Sequence, residues 1–120
     1  MNIAVYCGSA SGNRPSFTEG AKALGSWIAQ NGHTLVYGGS RTGLMGAVAD
    51  SVLAGGGKVI GVIPDVKLIQ ERRHPGLTEC IETKDMAERK QKMIELADAY
   101  VALPGGPGTL DEISEVICLA

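Results

Sequence analysis

The residues best suited to chemistry lie close together near the C-terminal end of the chain, in Leu103–Glu112, with the sequence LPGGPGTLDE. An apolar run, Ala99–Leu103, leads into this stretch, and a helix-like run, Leu110–Leu119, follows it. Three glycines within four positions allow backbone N–H groups to turn toward one point, because no Cβ atom obstructs them. A turn of this kind at a helix N-terminus suits a phosphate or another anion. The stretch therefore predicts an anion-binding turn.

The spacing of Thr109 and Glu112 gives the carboxylate two alternative roles. Thr-x-x-Glu at the start of a helix is a capping box, in which the Glu side chain accepts a hydrogen bond from the Thr backbone N–H. The alternative is that the carboxylate faces a ligand held by the glycine turn. Spacing alone favours the cap, and the second role stays open.

The helix predicted over Asp85–Asp98 carries the second chemically suggestive pattern. At about 100° per residue, Arg89 and Lys90 fall on the same arc as the apolar side chains of that helix. An unpaired charge buried on the sheet side is costly, so the two cations need an explanation. Either their stems are buried while their heads reach water at the rim, or they line a crevice and meet an anion. Glu88 is interpreted as the capping partner of Asp85.

Short apolar strands alternate with helices along the whole chain. Strands are predicted over residues 2–7, 34–37, 58–63, 79–83 and 99–103, and residues 64–77 form an irregular connection. Because the strands lack polar alternation, they predict an α/β fold: a Rossmann-like, doubly wound parallel sheet of about five strands, in the order 3-2-1-4-5. Small-residue turns follow Cys7, Tyr37 and Leu103, all at carboxyl ends of strands, and are expected to converge on one crevice.

Composition excludes several classes of function. The 120 residues predict a single domain, and a net charge of −2 argues against nucleic-acid or membrane-surface binding. No apolar run approaches the ~20 residues that a membrane-spanning helix needs. Three dispersed cysteines indicate a reducing, cytoplasmic setting, with Cys7 a packed thiol, and both His33 and His74 are predicted to be surface residues. Neither a dinucleotide G-x-G-x-x-G after the first strand nor a P-loop is present, so a single phosphate is the favoured ligand.

Three motifs together resemble one known family. Pro104–Glu112 matches P-G-G-x-G-T-x-x-E, Met86–Lys90 is similar to M-x-E-R-K, and Gly38–Gly46 is similar to G-G-x-x-x-G-L-M-G. This combination resembles the Lonely Guy (LOG) family of cytokinin riboside 5′-monophosphate phosphoribohydrolases, which also carries the older label of possible lysine decarboxylase. The resemblance extends from Asn2 onward. It implies hydrolysis of the N-glycosidic bond of an N6-substituted AMP or plain AMP, an N-glycosidase reaction of EC 3.2.2 type, giving free base and ribose 5-phosphate.

The resemblance also implies roles for individual residues. Arg89 and Glu112 correspond to the catalytic pair, and no metal or organic cofactor is required. The implied substrate-binding residues are Ser9, Gly39, Glu71, Lys90, Gly105, Gly106, Pro107, Gly108 and Thr109. The implied partners are a small nucleoside monophosphate and a second copy of the chain in a homodimer. The alternative is a non-catalytic nucleotide-binding or carrier protein of the same fold.

The sequence ends at Ala120, within the helix predicted after the glycine turn. Members of the family continue for further strands and helices. We therefore expect residues 1–120 to form one Rossmann-like nucleotide-binding domain that lacks the C-terminal part of the family domain.

Overall fold

The computed structural model describes residues 1–6 and 15–102, and only the backbone of residues 15–17. In chain order the elements are β1 Asn2–Tyr6, α1 Pro15–Gln30, β2 Thr34–Tyr37, α2 Gly43–Ala54, β3 Lys58–Pro64, α3 Lys67–Glu71, β4 Glu79–Thr83, α4 Met86–Leu96 and β5 Ala99–Ala102. The five predicted strands and the helix predicted over Asp85–Asp98 are confirmed within about two residues at each end, whereas the helix-like run Leu110–Leu119 lies outside the described residues. The short helix α3 was not predicted, because it lies in the stretch interpreted as irregular.

The strands form one parallel sheet in the order β4-β3-β2-β1-β5. The parallel α/β fold is therefore confirmed, whereas the predicted order 3-2-1-4-5 is wrong. The fourth strand extends the outer edge beside β3, and the fifth strand pairs with β1.

Local hydrogen bonds explain this strand order. Just before β4, the backbone N–H of Thr78 donates to the Val59 carbonyl at 2.9 Å, and Thr78 Oγ1 accepts from the Val59 N–H at 3.0 Å. These two bonds attach the start of β4 to β3. Just before β5, Asp98 N donates to the Asn2 carbonyl at 2.8 Å, and the Asp98 carboxylate accepts from Asn2 N at 2.8 Å. Since Asn2 begins β1, this exchange places β5 beside it.

Both faces of the three central strands, β1, β2 and β3, are covered, as the apolar strands predicted. Along β1, Ile3 and Val5 pack on the face that α1 and α2 cover, whereas Ala4 and Tyr6 pack with Met93 of α4 on the other face. Successive strand side chains point to opposite faces, so a strand without polar residues is buried on both sides. Helices α1 and α2 thus pack together on one side of the sheet, and α4 crosses the other.

Local signals set the helix ends. The carboxylate of Asp85 accepts a 2.9 Å hydrogen bond from the Glu88 backbone N–H, which confirms the predicted Asp85–Glu88 cap at the start of α4. Gly32, with φ of 70°, follows the end of α1, where a left-handed residue favours glycine. None of the helices in residues 15–102 is both long enough and apolar enough to cross a bilayer.

Candidate active site

The turn after β2 lies at the carboxyl ends of the strands and carries most of the described candidate site. Ligands of open parallel sheets bind beyond this edge. The turns after β1 and β5, which were also predicted to converge here, lie outside the described residues. The turn after β2, residues 38–42, is flanked by α4 on one side and by the segment that follows β3 on the other.

Arg89 of α4 is buried at this edge, with only 5% of the residue exposed. Its Nε donates a 3.1 Å hydrogen bond to the carbonyl of Val62 in β3, and its Nη1 lies 3.7 Å from the sulfur of Met86. The guanidinium also lies against Gly38, because a Cβ built on that glycine would stand 1.6 Å from Arg89 Nη2. The interpretation that Arg89 reaches water at the rim is therefore wrong. A backbone carbonyl fixes the cationic head inside the protein.

Lys90, the second cation of the predicted pair, is half-buried on the same helix. It takes part in an interaction within the protein. Its predicted role in substrate binding stays a prediction.

Gly39 occupies a backbone conformation that favours glycine. Its φ is +84°, and a Cβ at this position would stand 2.5 Å from Cγ1 of Ile63. Its carbonyl accepts a 2.8 Å hydrogen bond from the His74 backbone N–H. Packing and conformation thus explain the glycine on their own, and the predicted contact of Gly39 with substrate remains untested.

The turn after β2 is stabilised by its own polar side chains. The hydroxyl of Tyr37 donates to the Ser40 carbonyl at 2.8 Å. The hydroxyl of Ser40 accepts from the Thr42 backbone N–H at 3.1 Å and lies 2.8 Å from the Thr42 hydroxyl. These bonds give the turn a fixed shape before any ligand arrives, which is what a binding turn requires.

Arg41 ties the segment that carries Glu71 to the same turn. Its Nη1 donates to the Glu71 carbonyl at 2.6 Å, and its backbone N–H donates to the Arg72 carbonyl at 2.9 Å. Ser40 and Arg73 add an isolated antiparallel bridge. The structure therefore brings two predicted site regions to one turn, with Arg89 on one side and Glu71 on the other. The Glu71 side chain itself is exposed.

His74 departs from the sequence-based expectation. Predicted as a surface residue, it is 8% exposed, with its Nε2 atom 2.6 Å from Oδ1 of Asp50 in α2. Its Nδ1 atom accepts a hydrogen bond from the Gly76 backbone N–H at 2.9 Å, so Nε2 carries the proton that faces Asp50. The prediction failed because the charged sequence around His74 is typical of a solvated loop, and Asp50 lies 24 residues away.

A cleft of about 300 Å³ opens beside β4 and is lined by Arg73, His74, Pro75, Leu77 and Cys80. Among the described residues, neither Arg89 nor the turn after β2 lines this cleft. Burial raises the pKa of the Cys80 thiol, the nearby Arg73 guanidinium opposes that rise, and Glu82 adds to it. A raised pKa leaves less thiolate at a given pH, which makes Cys80 a weaker nucleophile.

Several relatives match almost the whole chain. A protein of Oryza sativa subsp. japonica, named probable cytokinin riboside 5′-monophosphate phosphoribohydrolase LOG4, is 48% identical over 98% of this chain and 51% of its own length. A cytokinin riboside 5′-monophosphate phosphoribohydrolase of Rhodococcoides fascians is 45% identical over 97% of this chain and 59% of its own length. The family model described as "Possible lysine decarboxylase" matches residues 45–120. The chain belongs to the LOG family.

The architecture of this LOG chain agrees with a solved structure. The X-ray structure of TM1055, a structural genomics target, superposes with a TM-score of 0.81 at 30% identity, over 98% of this chain and 69% of that one. The LOG chain spans about half the length of the curated relatives that it matches, 51% and 59% for the two named above.

Much of the predicted LOG site lies outside the described residues. This group comprises Ser9, Gly105, Gly106, Pro107, Gly108, Thr109 and Glu112, together with Cys7. Of the predicted site residues that are described, Arg89 and Gly39 lie at the turn after β2, Glu71 is attached to it through its carbonyl, and Lys90 follows Arg89 on α4. Among residues 1–6 and 15–102, no group of three or more His, Cys, Asp or Glu side chains is arranged to hold a metal ion.

Proposed function

We propose that this protein hydrolyses the N-glycosidic bond of a nucleoside 5′-monophosphate, either a cytokinin riboside 5′-monophosphate or AMP, and releases the free base and ribose 5-phosphate. Membership of the LOG family and the names of the relatives support the reaction class. The observation that carries the proposal is Arg89: a buried guanidinium, anchored to Val62, at the edge of the sheet where ligands of this fold bind.

Hydrolysis of the N-glycosidic bond requires different contributions from the cation and from the carboxylate. Water adds its hydroxyl to C1′ of the ribose, its other proton is removed, and the purine leaves with the bonding electron pair and is protonated. The transition state has oxocarbenium character, which a nearby carboxylate stabilises. Arginine keeps its charge at all relevant pH values, so it cannot serve as the base. We therefore assign orientation of water or of ribose hydroxyls to Glu112, and electrostatic stabilisation of an anionic group of the substrate to Arg89.

The phosphate completes the proposed site. Gly105, Gly106, Pro107, Gly108 and Thr109 form the proposed phosphate-binding turn, since their backbone N–H groups and the following helix suit an anion. Ser9, Gly39, Glu71 and Lys90 are proposed to contact the remainder of the substrate. We also propose that the protein acts as a homodimer in the cytoplasm, as the family resemblance implies.

The decisive experiment compares isopentenyladenosine monophosphate, its riboside and AMP as substrates, with the released bases resolved by chromatography. We expect cleavage of the monophosphates and none of the riboside, because the phosphate supplies the binding energy that orients the sugar. Equal turnover of the riboside would refute the phosphate site. Binding of AMP without cleavage of either monophosphate would favour the carrier alternative.

Two substitutions test the catalytic pair in the same assay. Arg89→Ala and Glu112→Gln should each reduce turnover by about 100-fold or more, as removal of electrostatic stabilisation does elsewhere. Glu112→Gln should leave the melting temperature almost unchanged, because Gln also completes a capping box. Lys84→Ala, an exposed cation just before α4, is the matched control and should keep full turnover. If turnover instead follows stability through Glu112→Gln and Glu112→Ala, Glu112 is only a cap.

Because the family model is described as "Possible lysine decarboxylase", a second experiment tests for decarboxylation. Pyridoxal phosphate and lysine are supplied to the same protein, and the Schiff-base absorbance band and the release of carbon dioxide are followed. We expect neither signal, and a band together with decarboxylation would replace the hydrolase proposal.

A further inference from the structure

Gly38 and the Arg89 guanidinium occupy one slot at the carboxyl ends of β2 and β3. A Cβ on Gly38 would stand 1.6 Å from Arg89 Nη2 and 2.8 Å from its Cζ. Real Cβ contacts do not reach such distances, so a side chain at position 38 and the guanidinium cannot both be present in this arrangement. Cε of Met45 closes the slot, 3.1 Å from the same Cβ position.

Backbone conformation gives no reason for glycine at this position. The described glycines with positive φ are Gly32, Gly39, Gly43 and Gly56, and Gly38 is not among them. An alanine could therefore adopt the backbone angles of Gly38 without strain. What the missing side chain provides is space for Arg89.

The other walls of the slot fix the orientation of the guanidinium. The carbonyl of Val62 accepts from Nε at 3.1 Å, and the sulfur of Met86 lies 3.7 Å from Nη1. With Nε bonded on one side and Nη2 against Gly38, the plane of the fork is set by backbone atoms of β3 and of the turn after β2. A planar fork fixed in this way can meet a substrate anion with little loss of conformational freedom on binding.

We infer that Gly38 is a positioning residue, whose lack of a side chain holds the Arg89 guanidinium in its productive orientation. The inference rests on the proposed function, since it takes Arg89 to be the cation that meets the substrate. The atoms that a new Cβ would strike belong to the far end of a flexible side chain, so Arg89 yields and the strand does not. Gly38→Ala should therefore fold normally and displace the guanidinium from the Val62 carbonyl.

Gly46 offers the opposite case and serves as the first control. A Cβ on Gly46 would stand 2.1 Å from the carbonyl oxygen of Arg41, a backbone atom that cannot rotate away. Gly46→Ala should therefore lower the melting temperature clearly. Gly20→Ala is the second control: its Cβ meets nothing within 4 Å, so stability and turnover should both be kept.

The first readout does not depend on activity. In ¹⁵N-labelled protein the Arg89 Nε–H resonance is identified by its loss in Arg89→Ala, and its exchange with water is measured. We expect slow exchange in the wild-type protein and exchange at least about 10-fold faster in Gly38→Ala, because the bond to Val62 protects this proton only when the fork stays in place. Unchanged exchange in Gly38→Ala would overturn the inference, whether or not the protein cleaves nucleotides.

The second readout is turnover in a double-mutant cycle. Gly38→Ala should reduce turnover of the monophosphate by about 100-fold, as a displacement of about 1 Å does to positioned groups. Gly38→Ala combined with Arg89→Ala should be no slower than Arg89→Ala alone, because the two changes remove the same contact. An additive further loss in the double variant would show that Gly38 acts elsewhere, and would overturn the inference. If the wild-type protein binds AMP and cleaves nothing, the proposed function fails, and the exchange measurement alone decides the role of Gly38.

Discussion

Replacement of His74 tests whether a buried ring stabilises the segment beside the turn after β2. The imidazole makes two polar contacts: its Nδ1 accepts from Gly76 N–H at 2.9 Å, and its Nε2 faces Asp50 at 2.6 Å. The first contact is worth about 1 kcal/mol, as for a typical hydrogen bond in a protein. The second is worth at most ~1 kcal/mol, because the Asp50 side chain is 69% exposed and well solvated.

Removal of the ring adds a packing term. His74 is 8% exposed, so His74→Ala leaves a void and costs a further 1–2 kcal/mol or so, at the lower end for large-to-small changes because the ring is partly polar. The total destabilisation is about 3 kcal/mol. Asp50→Ala should cost no more than ~1 kcal/mol, because it loses only the exposed contact.

Two near-isosteric changes separate the two polar contacts. In His74→Asn the side-chain oxygen can occupy the position of Nδ1 and keep the bond from Gly76. In His74→Gln the amide reaches the position of Nε2 and keeps the contact with Asp50. We expect the Asn variant to be more stable than the Gln variant by several tenths of a kcal/mol to ~1 kcal/mol, because it retains a local hydrogen bond to a backbone N–H, whereas the Gln variant retains only a contact with a carboxylate that is 69% exposed.

Urea unfolding followed by circular dichroism measures these differences, provided that the m-value is unchanged. His33→Ala is the control, since that ring is half-buried and lies 5.3 Å from the Trp27 ring, centroid to centroid, in a tilted arrangement. The reasoning fails if Asp50→Ala costs as much as His74→Ala, or if the Gln variant equals or exceeds the Asn variant. The backbone N–H of His74 also bonds Gly39, so the loosened variants should bind AMP more weakly than their stability alone implies.

Two further predictions concern the cap of α4 and the thiol beside β4. Asp85→Ala should destabilise the protein by ~1 kcal/mol and Asp85→Asn by much less, because Asn also accepts from the Glu88 N–H; thermal unfolding measures both, and equal losses would contradict the cap. Burial raises the pKa of Cys80, so at pH 8 iodoacetamide should alkylate it more slowly in the folded than in the urea-unfolded protein, with Cys7→Ser and Cys118→Ser as background. Arg73→Gln should slow the reaction further, because it removes the charge that lowers this pKa, and faster alkylation would contradict the assignment. Burial favours the un-ionised form of Cys80 in the folded protein. The stabilisation that results is fully present below the ordinary thiol pKa and is lost as the pH rises through the raised pKa.

The sequence predicted the three central strands well because strands buried on both faces are apolar without alternation. The runs around Val5, Val36 and Val59 are apolar without alternation, and each lies in the core. The order of the strands in the sheet cannot be read from composition in this way. It depends on whether the chain continues outward or turns back after β3, and the pair of bonds between Thr78 and Val59 decides that.

The site was predictable in part for a similar reason. Helical periodicity placed Arg89 on the sheet side of α4, and that prediction needed nothing beyond the 100° rule. Its anchor, the Val62 carbonyl, lies 27 residues away and is a backbone atom, which no side-chain pattern reveals. Periodicity thus locates the side of the helix, and only the fold supplies the partner that holds the charge.

The glycine turn after β2 shows how two explanations of one residue type can be separated. Glycine-rich turns predict anion binding, because their N–H groups are unobstructed. In this turn, however, the lack of a side chain at Gly38 makes room for Arg89, whereas Gly39 needs both its φ of +84° and the space beside Ile63. Each glycine therefore has a reason that holds without a ligand. The turn after β2 could contribute to binding in two ways, through its own backbone N–H groups or through Arg89, for which Gly38 leaves space. The structure favours the contribution through Arg89. The comparison of Gly38→Ala with Arg89→Ala tests this choice.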